Sequence, residues 1–298
     1  MAQTAKQRYD DLAPKRNPYL IRARDAAKLT IPYLFPPEGA NGSTKLPTPY
    51  QSIGARGVKN LASKLLLALF PPNASCFRYR VTNKLQLEEE AQTEIDNALS
   101  KVETEVMDEF ESRALRPTLS EAKKQLLVAG NVMLFLNEEG LKAFHLDRYV
   151  VKRDSMGIPL EMIVRESVAP STLDPKIRAA CNISEYVTEK NEDVDLYTHI
   201  TRTLERWEIY QELNMVRVPG SDGTYPLDEC PWIPLRFNKV DGEDYGRGYV
   251  EEYIGDLISA EELTKAIVQG SAAAAKILIF VDPNGITKAR AITNAENL

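Results

Sequence analysis

The chain has 298 residues, 43% of them hydrophobic and 27% charged, with a formal net charge of −6. That composition is enough to bury a substantial core and excludes an intrinsically disordered chain. The acidic balance also excludes a protein whose whole surface grips nucleic acid, because neutralising phosphates takes an excess of Lys and Arg.

Residues 1–30 read as helix with breaks at Pro14 and Pro18, and Arg22, Arg24 and Lys28 keep it basic. The opening "MAQTAKQRYDDLAPKR" lacks the apolar core of a signal peptide. No apolar run has the length and purity of a membrane span. "LLLALF" (65–70) is short, and "AIVQGSAAAAKILIFV" (266–281) is interrupted by Gln269 and Lys276. A soluble product made in the cytoplasm is expected. The proline- and glycine-rich stretch "IPYLFPPEGANGSTKLPTP" (31–49) reads as a loop.

From Tyr50 to Phe70 the pattern turns helical, with Ile53, Gly57, Leu61, Lys64, Leu65 and Ala68 on related turns and "FPP" as the stop. A second amphipathic helix runs from about Leu87 to Leu115. Ile95, Leu99, Val102, Val106 and Phe110 share one face, and Glu94, Glu103, Glu105, Asp108, Glu109 and Glu111 crowd the solvated remainder. Pro117 then predicts a stop and "TLSE" a new capping-box start on Thr118 and Glu121, with Gly130 as the C-terminal cap.

Residues 131–240 change period. "VMLFL", "LKAFHL", "YVVKRD", "LEMIVRESV", "VDLYTHI", "RWEIYQEL" and "MVRVPG" are strand-like, separated by turns such as "NEEG", "DSMGIP" and "GSDGTYP". This predicts an antiparallel β-rich region holding one short helix at Asp174–Cys181. Beyond Gly248 helical spacing returns through Val250, Tyr253, Ile254, Leu257, Leu263, Ile267, Gly270 and Ala274. A helix from Tyr249 to Lys276 is about 40 Å long. "KILIFV" (276–281) reads as a short strand and "DPNG" as a turn.

Chemical motifs fare poorly. Cys76, Cys181 and Cys230 lie far apart and read as reduced thiols. His145 and His199 have no cysteine at ligand spacing, so they read as packing or surface residues and no zinc site is expected. "GANGSTK" (39–45) has a phosphate loop's composition without its order: Lys45 stands three places after Gly42, and prolines precede it instead of a strand. "DGEDYGRGYVEEYIGDL" (241–257) sets acids beside its glycines, where they repel phosphate. Its Gly246 and Gly248 are expected to let the backbone turn from the β region into the long helix. The pairs Glu251/Glu252 and Glu261/Glu262 are helical neighbours and do not face each other. With no G-x-S-x-G elbow, catalytic, cofactor and metal residues are all absent from the reading, which favours a structural or interaction protein over an enzyme. "GSAAAAK" (270–276) gives the far end of the long helix a surface of small side chains that lets neighbouring helices approach closely. Two readings of that helix stand: one stave of a many-copy assembly, or a central helix inside one domain.

Several blocks resemble portal proteins, the head-to-tail connectors of short-tailed bacteriophages of the autographivirus type. They are "TPYQSIGARGVKNLASKLLLALFPP" (48–72), "LLVAGNVMLFL" (126–136), "YVVKRD" (149–154), "GSDGTYP" (220–226), "CPWIPLRF" (230–237) and the 241–257 stretch. The resemblance implies an α+β portal-type fold. Its parts are a wing over 1–248 (helical 1–130, β-rich 131–240), a first stem helix over 249–277 and the start of an α/β clip over 278–298. It implies a dodecameric ring at one capsid vertex of the virion. Double-stranded viral DNA would be driven through that ring by a separate terminase and later ejected. A tail adaptor protein, the major capsid protein and scaffolding or internal core proteins would be the partners, with no membrane. Relatives continue past the position of Leu298 into more clip, a second stem helix, a channel loop and a crown. On this reading Gly246 and Gly248 form the wing-to-stem joint, and Gly270, Ala274, Ile277 and Ile279 are ring-contact candidates. Lys276, Lys288 and Arg290 are the sparse cations of an otherwise acidic DNA channel, with solvated surface or intersubunit ion pairs as their alternative role. The edge of "KILIFV" would pair with a neighbouring chain. The competing expectation is a non-viral scaffold joined through the long helix, without a DNA path.

Overall fold

The computed structural model of the chain describes residues 3–72, 74–80, 89–190 and 192–275. Helices α1 (Ala5–Leu29), α2 (Ile53–Leu69), α3 (Glu89–Ser112) and α4 (Leu115–Ala129) come first. Strands β1 (Asn131–Asn137), β2 (Gly140–Phe144), β3 (Tyr149–Arg153) and β4 (Pro159–Val168) follow, then short helices α5 (Pro175–Ala180) and α6 (Glu185–Lys190). Next are β5 (Val194–Arg202), β6 (Arg206–Leu213), β7 (Val216–Arg217), β8 (Gly223–Pro226) and β9 (Trp232–Arg236), and finally helices α7 (Tyr249–Glu252) and α8 (Ile254–Ala274). The α+β class and the antiparallel β region match expectation. "KILIFV" with Ile277 and Ile279, and the cations Lys276, Lys288 and Arg290, lie outside the described residues.

One sheet runs β2-β1-β9 and a larger one β3-β4-β5-β6-β7, with β8 also pairing with β6. Met162, Ile163 and Val164 in β4 are all fully buried, so the larger sheet is covered on both faces at its centre. On one side the first half of α1 lays Ala5, Tyr9 and Leu12 over Val150, Ile163 and Tyr197. On the other, Tyr149, Val151, Met162 and Ile200 join the main core with Leu127 of α4 and Leu20 and Ala27 of α1. Each fully buried large side chain contributes about 1.5–3 kcal/mol.

Helix α1 is continuous through Pro14 and Pro18, contrary to the expected breaks. Both prolines are exposed, so the carbonyls that lose their helical donors meet water, while the buried row of Tyr9, Leu12, Arg16, Leu20 and Ala23 holds the helix to the sheet. Its start is a capping box of Thr4 and Gln7, and the Glu212 carboxylate accepts from the Ala5 and Lys6 amides at 2.7 and 3.1 Å.

The predicted capping box on Thr118 is not used. Helix α4 begins three residues earlier, after Ala114 in the left-handed region (φ 50°), and Pro117 sits in its first turn, where a missing N–H costs nothing. Gly130 does cap its end, at φ 73°. "GSDGTYP" contributes strand β8 as well as a turn, and α6 has no counterpart in the expectations.

Two helices turn a different face inward than their patterns suggest. In α2 the buried residues are Gly54, Val58 and Ala62, while Ile53 is 66% exposed. In α3 the apolar row is open, with Ile95, Val102 and Val106 exposed, and Glu103 is buried instead, accepting the Tyr79 amide at 2.6 Å. The long helix is also divided. Tyr253 (φ −111°, ψ 13°) ends α7 and opens α8, with its N–H on the Val250 carbonyl at 3.1 Å.

Candidate functional site

The segment 241–257 is tied to the body by hydrogen bonds from several distant elements. It leaves β9, folds back on the first residue of β1 and launches α7. Register places Asn131 opposite Arg236, and just beyond it Asn238 and Arg247 form an antiparallel bridge that closes the loop 238–247 at its neck.

Asn131, 1% exposed, clips this neck. Its Nδ2 donates to the Gly246 carbonyl at 2.8 Å and to the Ala129 carbonyl at 2.9 Å, while its Oδ1 accepts the Gly246 amide at 2.7 Å. Gly246 and Gly248 lie where the chain enters α7, and turning is not what requires them there. Gly248 has an ordinary extended conformation (φ −76°, ψ 151°). What it needs is space: a Cβ there would lie 2.5 Å from the Val128 carbonyl oxygen, and one on Gly246 would lie 2.8 Å from that of Gly130. The joint is a backbone-to-backbone contact between the end of α4 and the start of α7.

Arginines lock the loop from three sides. Arg153 donates through Nε to the Asp244 carbonyl and through Nη2 to that of Pro234, both at 2.9 Å, and its own amide bonds Asp244 Oδ1 at 2.8 Å. Arg236 donates to the Glu243 carbonyl at 2.8 Å. Burial, with the charge of Arg236 beside it, pulls Arg153 down to about 10. Arg247 bonds Glu243 (2.6 Å) and Glu251 (2.8 Å), which raises its pKa. Arg22 of α1 reaches Glu251 at 3.5 Å and lies over the Tyr19 ring. Burial and a hydrogen bond to Glu243 push Tyr19 up to about 12. Tyr245 is buried, and its hydroxyl accepts the Val151 amide at 2.9 Å.

The acids of this region are therefore structural. Glu251 is paired with Arg247, Glu252 accepts from Asn238 at 2.8 Å, and Glu261 accepts the Tyr50 and Gln51 amides at 3.0 and 3.1 Å. Gln51 in turn bonds the Leu29 carbonyl and the Gly54 amide, joining the end of α1 to the start of α2. Glu261 thus fastens α8 to that corner. Asn131, Gln51 and Glu261 were missed in the sequence because each acts on backbone brought from far along the chain. Only the glycine spacing around Gly246 marked the neighbourhood.

The phosphate-loop candidate dissolves into local turns. Asn41 Oδ1 accepts from the Ser43 amide and hydroxyl and from Thr44, and no helix begins at Lys45. His145 bridges the Leu34 carbonyl and Glu121, and His199 bridges Tyr210 and Glu161. The cysteines are unpaired, with Cys181 buried and Cys76 exposed. Above the joint α8 is nearly bare. Leu257 is its one buried residue among those described, Leu263 and Ile267 are 64% and 59% exposed, and Gly270 and Ala274 are exposed too.

The two-sheet body thus launches an almost uncovered helix from a glycine-packed, arginine-locked joint. The family model described as "Bacteriophage head to tail connecting protein" matches residues 2–297, and the chain belongs to that family. Its relatives include the portal protein of Escherichia phage T7, 43% identical over 304 residues, which cover 98% of this chain and 56% of that protein. The portal protein of Enterobacteria phage T3 is 43% identical over 303 residues, with 98% and 56% covered. That of Enterobacteria phage SP6 is 34% identical over 287 residues, with 94% and 55% covered. The chain spans about half the length of the curated relatives it matches. No described helix is long and apolar enough to cross a membrane.

Proposed function

We propose that the chain is a portal subunit, assembled as a dodecameric ring at one capsid vertex of the virion. Packaged double-stranded DNA enters through the ring under a separate terminase and later leaves through it, and a tail adaptor protein docks below. The major capsid protein and scaffolding or internal core proteins surround it. Residues 1–248 would be the wing, 249–277 the first stem helix and 278–298 the start of the clip, with Gly246 and Gly248 at the hinge between wing and stem.

The observation that carries this is α8. A helix of 21 residues with so little of itself buried has no reason to stay folded alone in water. Side by side in a ring, such helices cover one another, and the small residues around Gly270 and Ala274 let them approach closely. If the segment with Ile277 and Ile279, outside the described residues, forms the strand its sequence suggests, its edge would add contacts between chains. The formal charge of −6 per chain suits a conduit, because a wall that neutralised many phosphates would hold the duplex fast. Lys276, Lys288 and Arg290 are the proposed transient contacts.

Negative-stain images and native mass spectrometry of the full-length protein are the test. Rings of about twelve subunits with a central hole are expected. A compact monomer at every concentration and salt condition overturns the proposal. Substituting Lys276, Lys288 and Arg290 together by Ala is expected to slow packaging or ejection, and unchanged kinetics would remove those residues from the channel.

A further inference from the structure

The row Ile53, Gly57, Leu61 and Lys64 on α2 has the pattern of a buried face, yet the fold buries the neighbouring row instead. It borders a cleft of about 360 Å³ between α2, the end of α4 and the α7–α8 junction, with Ile53, Gly57, Leu61, Leu127, Tyr253 and Leu257 on its walls. That is room for one or two large apolar side chains. Gly57 is the anomaly. It is helical, no heavy atom lies within 4 Å of where its Cβ would be, and a glycine in mid-helix is less stable than alanine. Nothing within the described chain requires it, whereas Gly54, one turn away, is forced by the Leu29 carbonyl.

We infer that this cleft receives Leu263 from α8 of a second copy of the chain, in a head-to-tail contact that forms once per subunit around the ring. The inference rests on the ring reading above. Asp256, at the rim of the chain's own cleft, and Leu263 and Ile267 farther along α8 are exposed and spaced by seven and four residues, and Lys64, Gly57 and Ile53 of α2 show the same spacing in reverse. Seven and four residues are close to two turns and one turn, so each row stays on one face. Laid antiparallel, the rows set Leu263 into the gap over Gly57, Ile267 against Ile53, and Asp256 against Lys64. The charges are complementary, and among the described residues neither Lys64 nor Asp256 has an ion partner. The chain's own Leu263 and Ile267 remain mostly exposed, so they do not fill its own cleft. Two different patches meeting across copies make the heterologous contact from which rings close.

The test uses the full-length protein. Gly57→Leu fills the cleft from within, in open space and with better helix propensity, so the subunit should unfold no earlier than wild type. The assembled fraction at fixed concentration should fall about tenfold or more. Lys64→Asp and Asp256→Lys should each weaken assembly, and the two together should restore it. In a Cys76→Ser background, chains carrying Gly57→Cys mixed with chains carrying Leu263→Cys should give an intermolecular disulfide dimer. Rings that survive Gly57→Leu undiminished, or that form without this cross-link, overturn the inference and leave the ring reading standing. A wild-type protein that forms no ring at all overturns both.

Discussion

Gly248→Ala separates two explanations of the joint. If the glycine serves to turn the chain, alanine is tolerated, because φ −76° and ψ 151° suit any residue. If it serves close approach, alanine is not. The new methyl carbon would lie 2.5 Å from the Val128 carbonyl oxygen, 2.9 Å from its carbon and 3.1 Å from the Leu127 oxygen. Since carbon–oxygen contacts settle near about 3.3 Å, the end of α4 must retreat by roughly 0.8 Å. All three atoms are backbone, and they belong to the turn that Gly130 and Asn131 hold to the same loop. The strain has no flexible side chain to absorb it, which places the cost at about 2–3 kcal/mol, the upper part of the overpacking range. Gly255→Ala is the control. It is exposed near the start of α8 with nothing within 4 Å, and it should gain a few tenths to about 1 kcal/mol. Urea unfolding followed by the fluorescence of Trp207 and Trp232 reads both midpoints. The reasoning fails if Gly248→Ala shifts stability by less than about 0.5 kcal/mol, or if the two variants move in the same direction.

Three further outcomes follow from the same geometry. Asn131→Leu keeps the bulk but orphans the Gly246 amide and carbonyl and the Ala129 carbonyl. It should cost about 3–5 kcal/mol in the same assay, and Asn131→Asp should not rescue it at neutral pH, because its second carboxylate oxygen would face the Gly246 and Ala129 carbonyl oxygens in a buried site. Glu161 loses some stability to burial, but hydrogen bonds from His199 and Arg8 outweigh it and hold the carboxyl down at about 2, against 4.5 unperturbed. A depressed carboxyl stabilises the fold above its unfolded value, so on the order of 3 kcal/mol should be present above pH 4.5 and fade as pH falls toward 2. Acid titrations of wild type and Glu161→Gln should therefore converge at the low end, and parallel curves would count against it. Lys123 is 7% exposed, with its Nζ 4.6 Å from the Phe70 ring centre and burial lowering its pKa. Lys123→Met keeps the packing and removes a buried charge, so thermal unfolding should rise by an amount equivalent to about 1 kcal/mol.

Local signals were legible where the chain decides its structure alone. Gly130 announces the end of α4, where it takes a left-handed φ, Asp174 caps α5, and β-branched and aromatic runs bounded by turns mark β4 to β6. They failed where a distant partner decides. Pro14 and Pro18 look like breaks in isolation, and only the docking of α1 on the sheet sets them on the wet side of a continuous helix. Thr118 has a capping box's sequence, yet Arg116 donates to the Phe70 and Pro71 carbonyls and fixes the helix start upstream of it. At the joint the glycines could be seen, but what they approach could not. The Val128 and Gly130 backbones are more than a hundred residues away in sequence, and no local pattern encodes that contact.

The misjudged faces of α2 and α3 point the same way as α8. Hydrophobic periodicity reports which residues avoid water, without saying whether the cover comes from the same chain. In α2 two adjacent rows are apolar and the body covers only Gly54, Val58 and Ala62. In α3 Ile95, Val102 and Val106 stay open, and in α8 nearly everything beyond Leu257 does. Monomers rarely leave several such faces exposed, because contiguous apolar surface of that extent attracts whatever can cover it. This excess of apolar pattern over buried surface, spread over three separate helices, is the feature on which the proposed assembly rests, and covering it from several sides is what that assembly would have to do.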